Sequence, residues 1–143
     1  MYHYFCALGV LLAVSAAVMS APDSSQTVRK SHRLESNIVY VTRGSVPVKL
    51  DLYLPTAESK TPRPAVMLFH GGAWTSGVKE EVGWIAAWLA DQGYVVAAPS
   101  YRLAPEHKHP AQIEDCKRAV RWVRRNAKKY NIDPKRIAAM GFS

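Results

Sequence analysis

Apolar positions fall into short blocks whose spacing changes along the chain. Asn37-Ile-Val-Tyr-Val-Thr42 is rich in β-formers, and Val48-Lys-Leu-Asp-Leu-Tyr-Leu54 alternates with period two. Together they predict a hairpin with one wet face, joined around Arg43 to Pro47. Thr56 to Pro64 is a polar loop punctuated by proline. From there the pattern changes. Pro64-Ala-Val-Met-Leu-Phe69 is continuously apolar, as a strand covered on both faces of a mostly parallel sheet would be. Glu80 to Gln92 carries Val82, Ile85 and Leu89 at helical spacing, acids in its first turn and Gly93 just past its end, which predicts a helix and its stop. Trp84 and Trp88, four apart on that helix, read as packing residues. A second strand over Gly93 to Ala98, a longer helix over Pro110 to Tyr130, a turn at Asn131-Ile-Asp-Pro134 and a strand over Arg136 to Met140 complete the order. β-α-β-α-β after a hairpin implies a doubly wound α/β sheet with an antiparallel start.

The chain has 143 residues, 48% of them apolar and 21% charged, the balance of one globular domain. A complete α/β enzyme of the kind described below needs roughly 200 to 250 residues, so the chain is short for its own motifs. Residues 1–20 contain no Asp, Glu, Lys or Arg, and a nearly uninterrupted apolar run leads into small residues and Pro22. This reads as a secretory signal peptide, hence a secreted or periplasmic protein. The run is shorter than the roughly 20 residues a bilayer span requires, so no stable membrane span is expected. Residues 21–36 read as a linker, and 37–143 as the domain. Cys6 would leave with the signal, so that Cys116 remains as a single thiol and a disulfide framework is excluded. Spaced with Ile113, Val120 and Val123, Cys116 reads as a core residue.

The net charge is +8. Much of the excess lies in Lys117, Arg118, Arg121, Arg124, Arg125, Lys128 and Lys129, interleaved with Val120, Val123 and Tyr130, which reads as the solvated face of a helix. There is no zinc-ligand spacing and no module pairing aromatic with basic residues, so no nucleic-acid partner is expected.

Two stretches carry chemistry. The first apolar strand runs into His70-Gly71-Gly72-Ala73-Trp74. Glycines beyond the carboxyl end of a parallel strand let backbone amides approach a ligand closely, and two such amides suit a developing oxyanion. The last strand runs into Gly141-Phe142-Ser143, the first three residues of G-x-S-x-G in the strand context of a nucleophile elbow. There Gly141 allows a sharp turn that lifts the serine hydroxyl above the sheet.

With Tyr101-Arg-Leu-Ala-Pro-Glu106, Pro110-Ala-Gln-Ile-Glu-Asp115, Trp122 and Asn131-Ile-Asp-Pro134 in this order and spacing, the stretch from Val48 to Ser143 resembles the hormone-sensitive-lipase-like carboxylesterases of the α/β-hydrolase fold. Their bacterial branch that includes feruloyl and acetylxylan esterases is the nearest resemblance. It implies a carboxylic ester hydrolase with Ser143 as nucleophile and the amides of Gly72 and Ala73 as oxyanion donors. Ala73 stands where many members have a third glycine, and His70 corresponds to a histidine that braces the loop. The substrate implied is a small or polysaccharide-linked ester, with no metal or organic cofactor. In this fold the triad runs Ser, then Asp or Glu, then His. His107, His109 and Asp115 precede Ser143 and are in the wrong order to serve, so the chain reads as the N-terminal part of such an enzyme, truncated at the elbow and inactive alone. Tyr101, Arg102 and Glu106 read as bracing for the loop under the site, and Trp74 as a wall of an acyl pocket. Two other readings remain open: a serine peptidase of the prolyl-oligopeptidase type, and a non-catalytic binding protein on the same fold.

Overall fold

The computed structural model describes residues 31–143, so the signal-peptide reading and most of the linker reading lie outside the described residues. Five strands form one mixed sheet in the order β1-β2-β4-β3-β5: β1 (His32–Arg43), β2 (Val46–Pro55), β3 (Arg63–Phe69), β4 (Val95–Pro99) and β5 (Ile132–Gly141). β1 pairs antiparallel with β2, and β2 antiparallel with β4. β3 lies parallel between β4 and β5. Helix α1 (Gly83–Asp91), led in by a 3-10 turn over Lys79–Val82, links β3 to β4, and α2 (Ala111–Arg125) links β4 to β5. Among the described residues no helix is long and apolar enough to cross a membrane.

Alternation within the strands sorts the core into two layers. Leu50, Leu52 and Leu54 of β2, Ala65 and Met67 of β3, and Val95 and Ala97 of β4 pack with Ala119 and Val123 of α2. Tyr53, Val66, Leu68, Val96 and Ala98 point to the other face, against Val82, Ala86 and Ala90 of the α1 side. Both faces are therefore covered, which is why β3 and β4 read as unbroken apolar runs.

Several boundaries depart from the sequence reading, each for a physical reason. β1 begins at His32, inside the segment read as linker. It is an edge strand held by backbone pairing from His32↔Pro55 onward, and its side chains are largely exposed, so no apolar alternation marks its start. β2 lacks the wet face its alternation predicted: Leu50 to Leu54 are all buried, because Leu50, Leu52 and Leu54 pack on the α2 side and Tyr53 on the α1 side. Its polar residue, Asp51, is buried yet paired. Its carboxylate accepts from the Lys79 ammonium at 3.0 Å and from the Asn37 amide at 2.8 Å, at a bulge in β1 where Asn37 has φ +59°. The predicted helix over Glu80 to Gln92 is split, its first turn being 3-10. α2 stops at Arg125, after which turns lead to Asn131, whose φ of +52° reverses the chain directly into β5.

Candidate active site

β3 and β5 are parallel neighbours in register from Ala65↔Ile137 to Phe69↔Gly141, so the turns that follow them leave the sheet side by side. The Phe142 amide donates to the Phe69 carbonyl at 3.1 Å, extending the pairing one step beyond the strands. Gly71 then lies against the serine: a Cβ there would stand 2.5 Å from the Ser143 carbonyl oxygen and 3.1 Å from that of Phe142. Only glycine permits this approach. Ser143 is exposed at the carboxyl ends of the parallel strands, where open α/β sheets hold their ligands.

The glycine loop is tightly wound. Gly72 has φ +112°, and Ala73 and Trp74 follow at +51° and +64°, two successive side-chain-bearing residues in the left-handed region. The Gly72 carbonyl holds this turn by accepting from the amides of Thr75 and Ser76, both at 3.0 Å, and from their hydroxyls. A Cβ on Gly72 would collide with the Ser76 carbonyl. No backbone carbonyl of the described residues takes up the N–H of Gly72 or Ala73.

A buried brace sets the loop's position. Asp115, fully buried on α2, accepts the Arg102 guanidinium through two bonds of 2.8 and 3.0 Å and the Arg102 amide at 3.2 Å. Its hydrogen bond to Asp115 raises the guanidinium above its ordinary basicity. The neighbouring Tyr101 hydroxyl donates to the His70 carbonyl at 2.8 Å, and its ring stacks on the His70 imidazole at 4.2 Å and 7°. Burial raises the Tyr101 pKa, so the phenol stays protonated and remains a donor. His70 Nδ1 lies 2.8 Å from the Gly71 carbonyl. A carbonyl only accepts, so Nδ1 carries the proton. The Ala104 amide donates to the Trp74 carbonyl at 2.9 Å. At the far end of the loop, the buried Lys79–Asp51 pair fixes the entry into α1. Tyr101 and Arg102 are thus tied to His70 and Asp115 beneath the loop, whereas Glu106 is exposed and among the described residues pairs with His107 alone, at 3.7 Å.

A cavity of about 740 Å³ opens beside Ser143, with Phe69, His70, Gly71, Ala73, Trp74 and Tyr101 on one side and Gln112, Ile113 and Cys116 of α2 on the other. A smaller cleft of about 270 Å³ lies across the serine, lined by Gly72, Glu81, Val82, Trp84 and Ile85. Two sequence readings are corrected here. Trp84 and Trp88 are not packing residues: they are 73% and 60% exposed, because Ala86 and Ala90 supply the inward face of α1. Cys116 is half-buried on the cavity wall, since the core face of α2 is set by Gln112, Asp115, Ala119 and Val123, one step round the helix. Burial, reinforced by Asp115, pushes its thiol up to about 11. Gln112 and Ile113 were missed as cavity residues, although a helix following β4 must begin at the same carboxyl edge as the two turns. Asp115 is committed to Arg102, and His109 is exposed at the cavity wall. Among the described residues no three His, Cys, Asp or Glu side chains are grouped to hold a metal ion.

The BD-FAE family model matches residues 50–143, the stretch that contains both turns and the brace. The chain belongs to the BD-FAE family. It is 36% identical over 111 residues to arylacetamide deacetylase of Oryctolagus cuniculus, covering 74% of this chain and 27% of that protein. Carboxylesterase NlhH of Mycobacterium tuberculosis is 42% identical over 81 residues, 56% of this chain and 25% of that protein. The chain therefore spans about a quarter of the length of these curated relatives. Among solved structures, a thermophilic esterase of Thermogutta terrifontis superposes with a TM-score of 0.70 at 31% identity, covering 79% of this chain and 40% of that one. The same esterase is also known phosphorylated by paraoxon. The fold of this BD-FAE chain is that of the α/β-hydrolases.

Proposed function

We propose that this chain carries the nucleophile and oxyanion loop of a serine carboxylesterase. One observation supports this above the rest: the Gly141-Phe142-Ser143 turn lies in backbone contact with the His70-Gly71-Gly72-Ala73 loop. Ser143 Oγ attacks the acyl carbon of an ester while a general base takes its proton, and the carbonyl oxygen becomes an oxyanion received by the Gly72 and Ala73 amides. Collapse of the tetrahedral adduct expels the alcohol, which takes up the proton. Water then repeats the sequence on the acyl-enzyme and frees the acid. In this fold the triad acid and base follow the serine in the chain.

The cavity accommodates one arm of an ester of modest size, and Trp74 and Phe142 offer it apolar surface. An acetyl or feruloyl ester carried on a plant polysaccharide, met outside the cytoplasm by a secreted protein, fits the family resemblance and the signal-like leader. The peptidase reading is tested by comparing p-nitrophenyl acetate with a chromogenic peptide amide on the full-length protein. Ester turnover faster by orders of magnitude is expected; preferential cleavage of the amide would replace the esterase reading with the peptidase one.

A further inference from the structure

On α2, Lys117, Arg118, Arg121, Arg124 and Arg125, with Lys128 just beyond, form a cationic row. Among the described residues none of the six lies within 4.0 Å of a carboxylate. The acids of the helix turn elsewhere: Glu114 takes Arg43, and Asp115 takes Arg102. Lys129 is set apart over the Tyr130 ring. Arg118 Nε is buried without a hydrogen-bond partner.

A face that served only solubility would alternate signs, since opposite charges three or four residues apart stabilise a helix and like charges destabilise it. Here Arg121 faces Lys117, Arg118, Arg124 and Arg125 at those spacings. The helix dipole compensates only the last turn, where Arg124 and Arg125 lie. Position matters equally. The row begins immediately after Cys116, which lines the cavity beside Ser143, and it runs about 12 Å along the helix from Lys117 to Arg125 at 1.5 Å per residue.

We infer that this face holds an acidic polysaccharide, a carboxylate-bearing polymer whose ester group reaches Ser143. The inference rests on the esterase reading for the polymer's identity and on the unpaired cations for its charge. Nothing on the face favours the other polyanions. Trp122 of α2 is packed against the core instead of offering a stacking platform for bases, and the exposed tryptophans Trp84 and Trp88 stand on the opposite side of the sheet. A membrane-surface helix would have its apolar face free, whereas that of α2 is packed in the core through Ala119 and Val123.

The test is affinity electrophoresis of the full-length protein through gels containing polygalacturonate, neutral dextran or no polymer. A variant with Lys117, Arg121, Arg124 and Arg125 all changed to Gln is run beside it, and p-nitrophenyl acetate hydrolysis is measured on both. Polygalacturonate alone should retard the wild type at about 0.1 M salt, where charges still act over about 10 Å. The variant should bind on the order of tenfold more weakly, with hydrolysis of the small neutral ester unchanged. The inference is overturned if polygalacturonate fails to retard the wild type, if the variant is retarded equally, or if duplex DNA or phosphatidylserine vesicles at equal charge bind more tightly. Retardation lost in the variant, in a protein inert toward the ester, would leave the cationic face standing and remove the esterase reading alone.

Discussion

Ala73 adopts φ +51° and Trp74 +64° immediately beyond the glycines. A Cβ in the left-handed region costs about 1–2 kcal/mol per residue, so the loop holds strained backbone where its amides are needed. Ala73→Gly should relieve this strain, partly offset by the larger unfolded-state entropy of Gly, for a net gain of roughly 0.5–1 kcal/mol; urea denaturation would read it, and an unchanged or lower midpoint would count against the strain. Gly72→Ala should do the reverse, since its Cβ meets the Ser76 carbonyl. Cys116 offers a pH test. Its thiol is raised to about 11 by burial and by Asp115, so the neutral form is favoured well above the ordinary cysteine range. Reaction with iodoacetamide needs the thiolate. Labelling in a Cys6→Ser background should therefore stay slow through pH 9 and accelerate only as pH approaches 11; the same shift makes the folded state lose stability as pH rises from the unfolded thiol's value to the folded one. Rapid labelling at pH 8.5 would show a thiol that burial does not protect. Backbone geometry was legible where a motif tied residue type to conformation, as for Gly71, pressed against the Ser143 carbonyl, and Gly72, at φ +112°. Burial was not legible for Cys116, Trp84 and Trp88, whose apolar spacing is the same whether the core lies beneath them or one step round the helix.

At the scale of elements, the loop from β4 to α2 carries the strongest polar anchor. Asp115 is fully buried and meets the Arg102 fork and the Arg102 amide. Removing one member of such a pair leaves the other charge buried and typically costs about 3–5 kcal/mol. Asp115→Ala should lose that much in thermal or urea unfolding, and the Tyr101 contact to the His70 carbonyl should loosen with it. A loss below about 1 kcal/mol would mean that the brace is ornamental. Among the described residues the sequence indicated every strand and α-helix, though not the 3-10 turn before α1, because periodicity is fixed by what each face touches. It misplaced the start of β1 and the wet face of β2. Pairing in β1 runs through the backbone and leaves no side-chain signature, while Asp51 in β2 is polar for a buried partner, Lys79, that is 28 residues away.

Taken whole, the molecule brings together two turns separated by about half the chain because β3 and β5 are parallel neighbours while α1 and α2 pass on opposite faces. That placement follows from right-handed crossovers on opposite faces of the sheet, which return β5 to the free side of β3; the β-α-β-α-β order put each turn at the end of its strand and left the strand order open. The shape of the space around Ser143 was not legible. It depends on how far the first turns of α2 lean toward the loop, which Arg102 and Asp115 set through a contact with no periodic trace. The central claim, that Ser143 is the nucleophile of an ester hydrolase, is tested most directly by p-nitrophenyl acetate hydrolysis with the full-length protein and its Ser143→Ala variant. Turnover by the wild type with a loss of about 10⁴-fold or more in the variant is the predicted result, as for nucleophile removal in other serine hydrolases. Equal turnover by the two proteins, or a folded wild type that leaves the ester intact, would contradict it.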